Sequence, residues 1–388
     1  MQLRADDLRA RLEPLFRENF EKFGELGAAI SIWQNGAPIL HLESGFLDAN
    51  RDKSWKEDTV VLIWSATKGL ASACLLHVLQ ENKIELERPV AEFWPEFAQA
   101  GKNEITLAQL LSHQAGLAAL DREVDIVDYE GVIEALEAQK PNWQPGNGHG
   151  YHARTFGFLI EELVKRLADC SLGQYWRNTF ATPLSLDLWI GLPAEENSRV
   201  ATIYAPRAGK KPEPVKFYFD VTTQGTFANR VFNSPRGLQA VSAMNKPEIR
   251  ALSIGSFGGI GSAQALAKFY AMLANGGRLE DREFFNAKTL DRMGTKLTDG
   301  MDRVFEIPTA FSAGFMKDSH ANLTGIIGQV PKRLFGKSTT AFGQPGAGGS
   351  HAFADPENQI AFAYVMNQME QKVLPNEKSL QIVDALYR

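Results

Sequence analysis

Ser65 and Lys68 stand three residues apart in the run Val61-Leu62-Ile63-Trp64-Ser65-Ala66-Thr67-Lys68-Gly69-Leu70. On a helix that spacing puts two side chains on neighbouring positions of one face. The pair offers a serine nucleophile with an amine base, because a hydroxyl attacks a carbonyl only with a base at hydrogen-bond distance and donors aimed at the developing oxyanion. A helix that begins at Ser65 points free N–H groups and the positive end of its dipole at the attacking oxygen. With burial, that dipole favours the neutral amine, the form that accepts a proton. Average residue usage supplies roughly one S-x-x-K match by chance in a chain of this length, so spacing alone does not decide. Two observations add to it. No other serine here has a lysine three residues downstream, and Ser65 lies between an apolar run, residues 60–64, and the Ala- and Leu-rich stretch 68–80. That is the setting of a nucleophile at the buried start of a core helix.

The elements around this pair follow from periodicity. Residues 3–23 carry Leu8, Leu12, Leu15 and Phe16 in an amphipathic helical pattern. Residues 28–33 and 38–46 flank Asn35-Gly36, a strong hairpin signal. From Ser65 to about Gly261 helical patterns dominate, with 107–111 and 158–167 as clear segments. Residues 263–275 make another helix, stopped by Gly276-Gly277. The C-terminal stretch returns to strands: residues 353–354 and 360–366 form a second hairpin around Asp355-Pro356-Glu357-Asn358, and 378–387 a terminal amphipathic helix. Strands at both ends of the chain imply one antiparallel sheet assembled from distant segments and flanked by the terminal helices, an α/β fold. The expected division is a discontinuous sheet domain, residues 1–62 and 255–388, and a mostly helical domain, 63–254, with the nucleophile where they meet. The Lys210-Lys211-Pro212-Glu213-Pro214 run reads as a solvated loop.

Composition narrows the function classes. At 388 residues, 44% hydrophobic and 22% charged, the chain is long enough for one large domain or two intimate ones. A net charge of -5 without a basic block argues against a nucleic-acid partner. No apolar stretch reaches membrane-spanning length, and Met1-Gln2-Leu3-Arg4-Ala5-Asp6-Asp7-Leu8 lacks the apolar core of a secretory leader, so a cytoplasmic location away from membranes is expected. Cys74 and Cys170 read as buried free thiols rather than a disulfide. His149 and His152 have helical spacing but no nearby carboxylate or cysteine, so no metal site is expected.

A serine hydrolase of this kind needs a second proton-handling group. Tyr151 is the candidate: it follows Trp143-Gln144-Pro145-Gly146 and a glycine-rich loop and precedes a helix, which places a phenol at a helix entrance facing a cleft. Such a tyrosine relays a proton if neighbouring positive charge lowers its pKa; the bland alternative is a packed tyrosine bonded to a backbone carbonyl. The third piece is Phe342-Gly343-Gln344-Pro345-Gly346-Ala347-Gly348-Gly349-Ser350, whose glycines suggest that something approaches the backbone closely. A substrate acyl group along that edge receives the N–H of Ala347, with that of Ser65 as the other oxyanion donor. A flexible loop is the alternative.

In this order the three stretches resemble the serine β-lactamase and penicillin-binding superfamily, in its class C β-lactamase-like branch, which includes family VIII carboxylesterases. The S-x-x-K box matches at Ser65 and Lys68, the tyrosine box Y-x-N at Tyr151 with Ala153 in place of Asn, and the third box at Gln344-Pro345-Gly346. Leu110-Leu111-Ser112-His113-Gln114-Ala115-Gly116-Leu117 is similar to the L-L-S-H-x-x-G-L segment of that superfamily. The resemblance implies the β-lactamase-like (transpeptidase-like) fold, acylation of Ser65 with Lys68 and Tyr151 sharing base and acid duties, and no metal or organic cofactor. It leaves His113 structural.

Departures from the pattern bear on substrate. Where β-lactamases and carboxypeptidases of the superfamily usually place a lysine or histidine to attract a carboxylate, this chain has Gln344, which hydrogen-bonds without Coulomb attraction. Pro345 lacks a backbone donor, and Ala153 cannot grip a side-chain amide. These changes favour a small neutral ester, with Gln344, Gly346, Trp64, Trp143 and His152 toward the substrate and Phe217-Tyr218-Phe219 as further candidates for an apolar pocket. β-Lactam or D-alanyl amide hydrolysis, acyl transfer, and a catalytically silent scaffold stay open as alternatives. Oligomeric state is not legible.

Overall fold

The computed structural model describes residues 1–207, 216–320 and 333–388; the Lys210 to Pro214 run lies outside them. Asn35 and Gly36 both take left-handed φ, 55° and 74°, as a two-residue hairpin turn requires. They join β1 (Gly27–Gln34) to β2 (Ala37–Gly45). The other strands of the same sheet come from the C-terminal part of the chain: β3 (Thr298–Met301), β4 (Pro308–Phe311), β5 (Met316–Lys317), β6 (Phe342–Pro345), β7 (His351–Asp355) and β8 (Ile360–Met366). The eight run in the order β2-β1-β8-β7-β6-β5-β4-β3, and every neighbouring pair is antiparallel. The β1–β8 register, Ala28↔Met366 through Gln34↔Ile360, closes the two ends of the chain on each other. All of β8 is buried, so both of its faces are covered.

The helices that position the site are α1 (Ala5–Glu21), α2 (Thr67–Glu81), α3 (Leu107–Leu111), α4 (Tyr129–Ala138), α5 (Thr155–Ala168), α6 (Ala263–Ala274) and α7 (Glu377–Leu386). Leu8, Leu12 and Phe16 are the buried stripe of α1, and Phe16 meets Tyr364 of β8 edge-on at 6.5 Å. α7 lies alongside α1, and α6 packs on β1, β7 and β8. α2 is apolar on nearly every side and buried from Thr67 to Leu76, as a core helix should be. Gly69 lets it close on α6: a Cβ there would sit 2.6 Å from the Tyr270 hydroxyl.

The chain leaves the sheet region through Val61–Leu62 and returns through Gly259–Gly261, which pairs antiparallel with Val61–Leu62 on one side and Leu188–Ile190 on the other. One boundary differs from expectation. α2 begins at Thr67, and Ser65 lies in a preceding 3-10 turn, Trp64–Ala66. Thr67 explains the turn, since its hydroxyl donates to the Trp64 carbonyl at 2.5 Å and accepts the Gly259 N–H at 2.8 Å. Cys74 and Cys170 are free thiols. Among the described residues no helix is long and apolar enough to cross a membrane, and no group of His, Cys, Asp and Glu has the arrangement of a metal site.

Candidate active site

Lys68 rises from the first turn of α2 into the interior, where it is 1% exposed. Its Nζ lies 3.4 Å from Ser65 Oγ and donates to the carbonyl oxygens of Ala153 and Ser256, each at 2.8 Å. Burial alone drives its pKa well below the ordinary lysine value. A neutral amine has two N–H donors and one lone pair. With both donors taken by the two carbonyls, the lone pair falls toward Ser65. Ser256 ties the cradle together, because its hydroxyl donates to Arg154 O at 2.6 Å and accepts the Gly157 N–H at 2.7 Å. Where the resemblance expected an Asn side chain, the main-chain carbonyl of Ala153 binds the lysine.

Tyr151 sits across from Lys68, with Nζ 4.8 Å from its ring centroid. Its hydroxyl accepts from Gln344 Nε2 at 3.4 Å and is in hydrogen-bond contact with the Ser65 side chain. The expected lowering of its pKa by neighbouring positive charge is corrected here. Burial pushes the phenol up, and the bonds to Ser65 and Gln344 only partly offset this. A lysine that is itself pushed toward neutrality supplies little charge, so burial leaves Tyr151 in its protonated form.

Sequence reasoning missed Asp302. Fully buried at the end of β3, it accepts the N–H groups of Tyr151, Val304 and Phe305 at 3.2, 2.8 and 3.0 Å and the Thr309 hydroxyl at 3.0 Å. This fixes the loop that carries Tyr151 and the turn that stacks Phe305 on its ring, 4.8 Å between centroids. The only local signal was an Asp ahead of Arg303-Val304-Phe305, the pattern of a side chain that bonds backbone N–H two and three residues on. His149 is spent on Thr298 and Thr309, at 2.7 and 2.8 Å. His113 lies under Tyr151, ring centroids 5.0 Å apart, and its Nδ1 accepts the His152 N–H at 3.2 Å.

His152 is corrected as a substrate contact. It is wholly buried, its Nε2 accepts the Leu117 N–H at 2.9 Å, and its Nδ1 bonds Gly150 O at 2.7 Å. Both ring nitrogens brace the loop, and burial lowers its pKa to about 4, which keeps it neutral. Gly116 of the L-L-S-H segment backs the same loop, since a Cβ there would lie 2.6 Å from Trp143 O.

The glycine-rich run does meet a close approach, but from the protein's own chain. A Cβ on Gly346 would lie 2.2 Å from the Ile63 carbonyl, on Gly348 2.5 Å from Met369 Cγ, and on Gly349 2.9 Å from Asn376 Nδ2. The contact with Ile63 seats the run beside the Ser65 turn. The amides flanking Ala347 are committed, Gly346 N–H to Ser350 O and Gly348 N–H to Lys372 O, both at 2.7 Å.

Trp64 and Trp143 are half-buried. Trp64 holds φ at 50°, a left-handed conformation that costs an L-residue on the order of 1 kcal/mol, and its ring leans on Phe257 at 6.3 Å. Trp143 meets His152 edge-on at 5.7 Å. The Phe217-Tyr218-Phe219 stretch divides: Phe217 is buried against Phe305 at 5.2 Å, whereas Phe219 is 70% exposed.

Residues 16–386 match the family model described as Beta-lactamase. An esterase/beta-lactamase, LipL of Mycobacterium tuberculosis (strain ATCC 25618 / H37Rv), is 30% identical over 356 residues, 90% of this chain and 78% of that protein. The crystal structure of a novel penicillin-binding protein homolog from Caulobacter crescentus is 32% identical and superposes with a TM-score of 0.85, covering 98% of this chain and 97% of the other. The crystal structure of a family VIII carboxylesterase is 31% identical, with a TM-score of 0.85 and coverage of 100% and 99%.

Proposed function

This chain belongs to the β-lactamase family and is a serine hydrolase of the esterase/β-lactamase type, and on that premise we propose that it hydrolyses small neutral carboxylic esters through an acyl-enzyme on Ser65. Lys68 takes the Ser65 proton as Oγ attacks the ester carbonyl. The N–H groups of Ser65 and Ala347 receive the oxyanion. Tyr151 gives its proton to the departing alcohol oxygen and recovers one from Lys68, which returns the amine to its neutral form. Water then repeats the sequence on the acyl-enzyme, entering where the alcohol left. Gln344, Gly346, Trp64 and Trp143 are proposed to border the substrate.

The observation that carries the ester reading is the bond from Gln344 Nε2 to the Tyr151 hydroxyl, at 3.4 Å. It sets a neutral amide at the heart of the site, where an anionic β-lactam or peptide terminus gains most from a cation. Slow β-lactam hydrolysis is the second reading, favoured by the name of the relative from Mycobacterium tuberculosis.

The test is hydrolysis of p-nitrophenyl acetate and butyrate by wild type and Ser65→Ala, with nitrocefin in parallel. Ester turnover that vanishes with Ser65, beside little nitrocefin cleavage, supports the proposal. Turnover that survives Ser65→Ala places the nucleophile elsewhere, and preferred cleavage of nitrocefin moves the weight to the second reading.

A further inference from the structure

The carbonyl of Gly348 accepts two hydrogen bonds from the segment that follows β8, one from Glu370 N–H at 2.9 Å and one from Asn376 Nδ2 at 3.2 Å. Asn376 is 3% exposed and caps α7, its Oδ1 accepting the Lys378 N–H at 3.2 Å. The cap stands on fixed ground. The Lys378 side chain, two residues on, is 1% exposed and pairs with the wholly buried Glu25 at 3.0 Å, and Glu25 also receives the Tyr364 hydroxyl at 2.7 Å. One amide side chain therefore joins a rigid helix end to the glycine run beside Ser65, and Gly349 leaves room for it to do so.

We infer that Asn376 is a positioning residue for the oxyanion site, holding Gly348 so that the Ala347 N–H keeps its aim. The inference rests on the acyl-enzyme reading above and on Ala347 as a donor. The amide that matters lies between two pinned neighbours, Gly346 and Gly348. Without Asn376 the Gly348 carbonyl rests on the Glu370 N–H alone; its peptide plane carries the Gly349 N–H, which donates to Gly346 O at 3.2 Å, and Gly346 O shares a plane with the Ala347 N–H, so movement of the first tilts the second. Sub-ångström misalignment of a preorganised donor weakens the transition state more than the bound substrate.

Asn376→Asp and Asn376→Ser each keep an oxygen for the helix cap and lose the amide donor. Each is expected to lower kcat for p-nitrophenyl butyrate by about tenfold with KM within about twofold. The affinity of phenylboronic acid, whose tetrahedral serine adduct puts an oxygen in the oxyanion site, should fall by the same factor, with the melting temperature close to wild type. Unchanged kcat and boronate affinity in both variants overturns the inference, as does a loss that only tracks thermal stability. Wild type that binds the boronate through Ser65 but turns over no ester defeats the ester reading alone, and the affinity ratio still decides the role of Asn376. Wild type that neither binds nor turns over defeats both.

Discussion

Lys68 Nζ lies 3.4 Å from Ser65 Oγ, and burial is what sets its proton affinity. An ordinary ammonium at this depth is held by a carboxylate. Here the two acceptors are the peptide carbonyls of Ala153 and Ser256, which orient the amine as dipoles without stabilising its charge as an anion does. The helix thus presents a base whose burial favours the uncharged form and whose aim is set by main-chain atoms.

This arrangement fixes the pH dependence of the proposed reaction. The working form of Lys68 is neutral, so kcat/KM should climb tenfold per pH unit below its folded pKa and flatten above it. Because that pKa lies well below the ordinary lysine value, the plateau should begin well short of about 10.4. A rate that keeps climbing to that pH assigns the base elsewhere.

Stability carries the same signature. Between the depressed folded pKa of Lys68 and the unfolded value the unfolded chain binds one more proton, so rising pH favours the folded state by up to about 1.4 kcal/mol per unit in that window. Lys68→Met lacks the term. Urea denaturation of both proteins at pH 7 and pH 9 should show wild type gaining on the variant as pH rises. A constant difference means that Lys68 keeps its proton when folded.

The parts of this site read from sequence are those in which side-chain type and spacing carry the signal. Asn35-Gly36 makes its hairpin, the 263–275 pattern gives α6, and Ser65 and Lys68 share a turn. What escaped is main-chain chemistry. Any residue offers a carbonyl, so nothing in Ala153 or Ser256 marks them as holders of a lysine. Glycine run 346–349 signalled close approach without saying by what, and Met369 and Asn376 lie remote from Ser65 in the chain. The expected substrate contact of His152 gives way to a ring turned inward onto Leu117 and Gly150, main-chain partners that its side-chain type does not announce.

Asp302 deserves its own variants. Asp302→Ala leaves three buried N–H groups, those of Tyr151, Val304 and Phe305, without their acceptor, and should cost about 3 kcal/mol or more of stability. Activity should fall further than stability accounts for, because Phe305 no longer fixes the Tyr151 ring. Asp302→Asn keeps an acceptor oxygen and should retain more of both. Urea melts and p-nitrophenyl ester rates measured at a temperature where all three proteins are folded separate the two effects. Equal rates in all three would show that the loop holds Tyr151 without Asp302.

Gln344→Lys tests the placement of the third box. Gln344 is 1% exposed and bonds the Tyr151 hydroxyl, so an ammonium there enters the same buried cluster as Lys68. Its attraction for a substrate carboxylate is roughly 4 kcal/mol at about 4 Å and an effective dielectric near 20, but the new charge must also shed its water, so a net gain of about tenfold in KM for carboxylate-bearing β-lactams is expected. Neutral p-nitrophenyl esters should show little change in KM. A second effect follows from the same charge: a cation near Lys68 disfavours its protonation, so the acid limb of the rate profile should move to lower pH. Lactam affinity and acid limb both unchanged would mean that residue 344 points away from substrate and base alike, and the preference for neutral esters would then need another source.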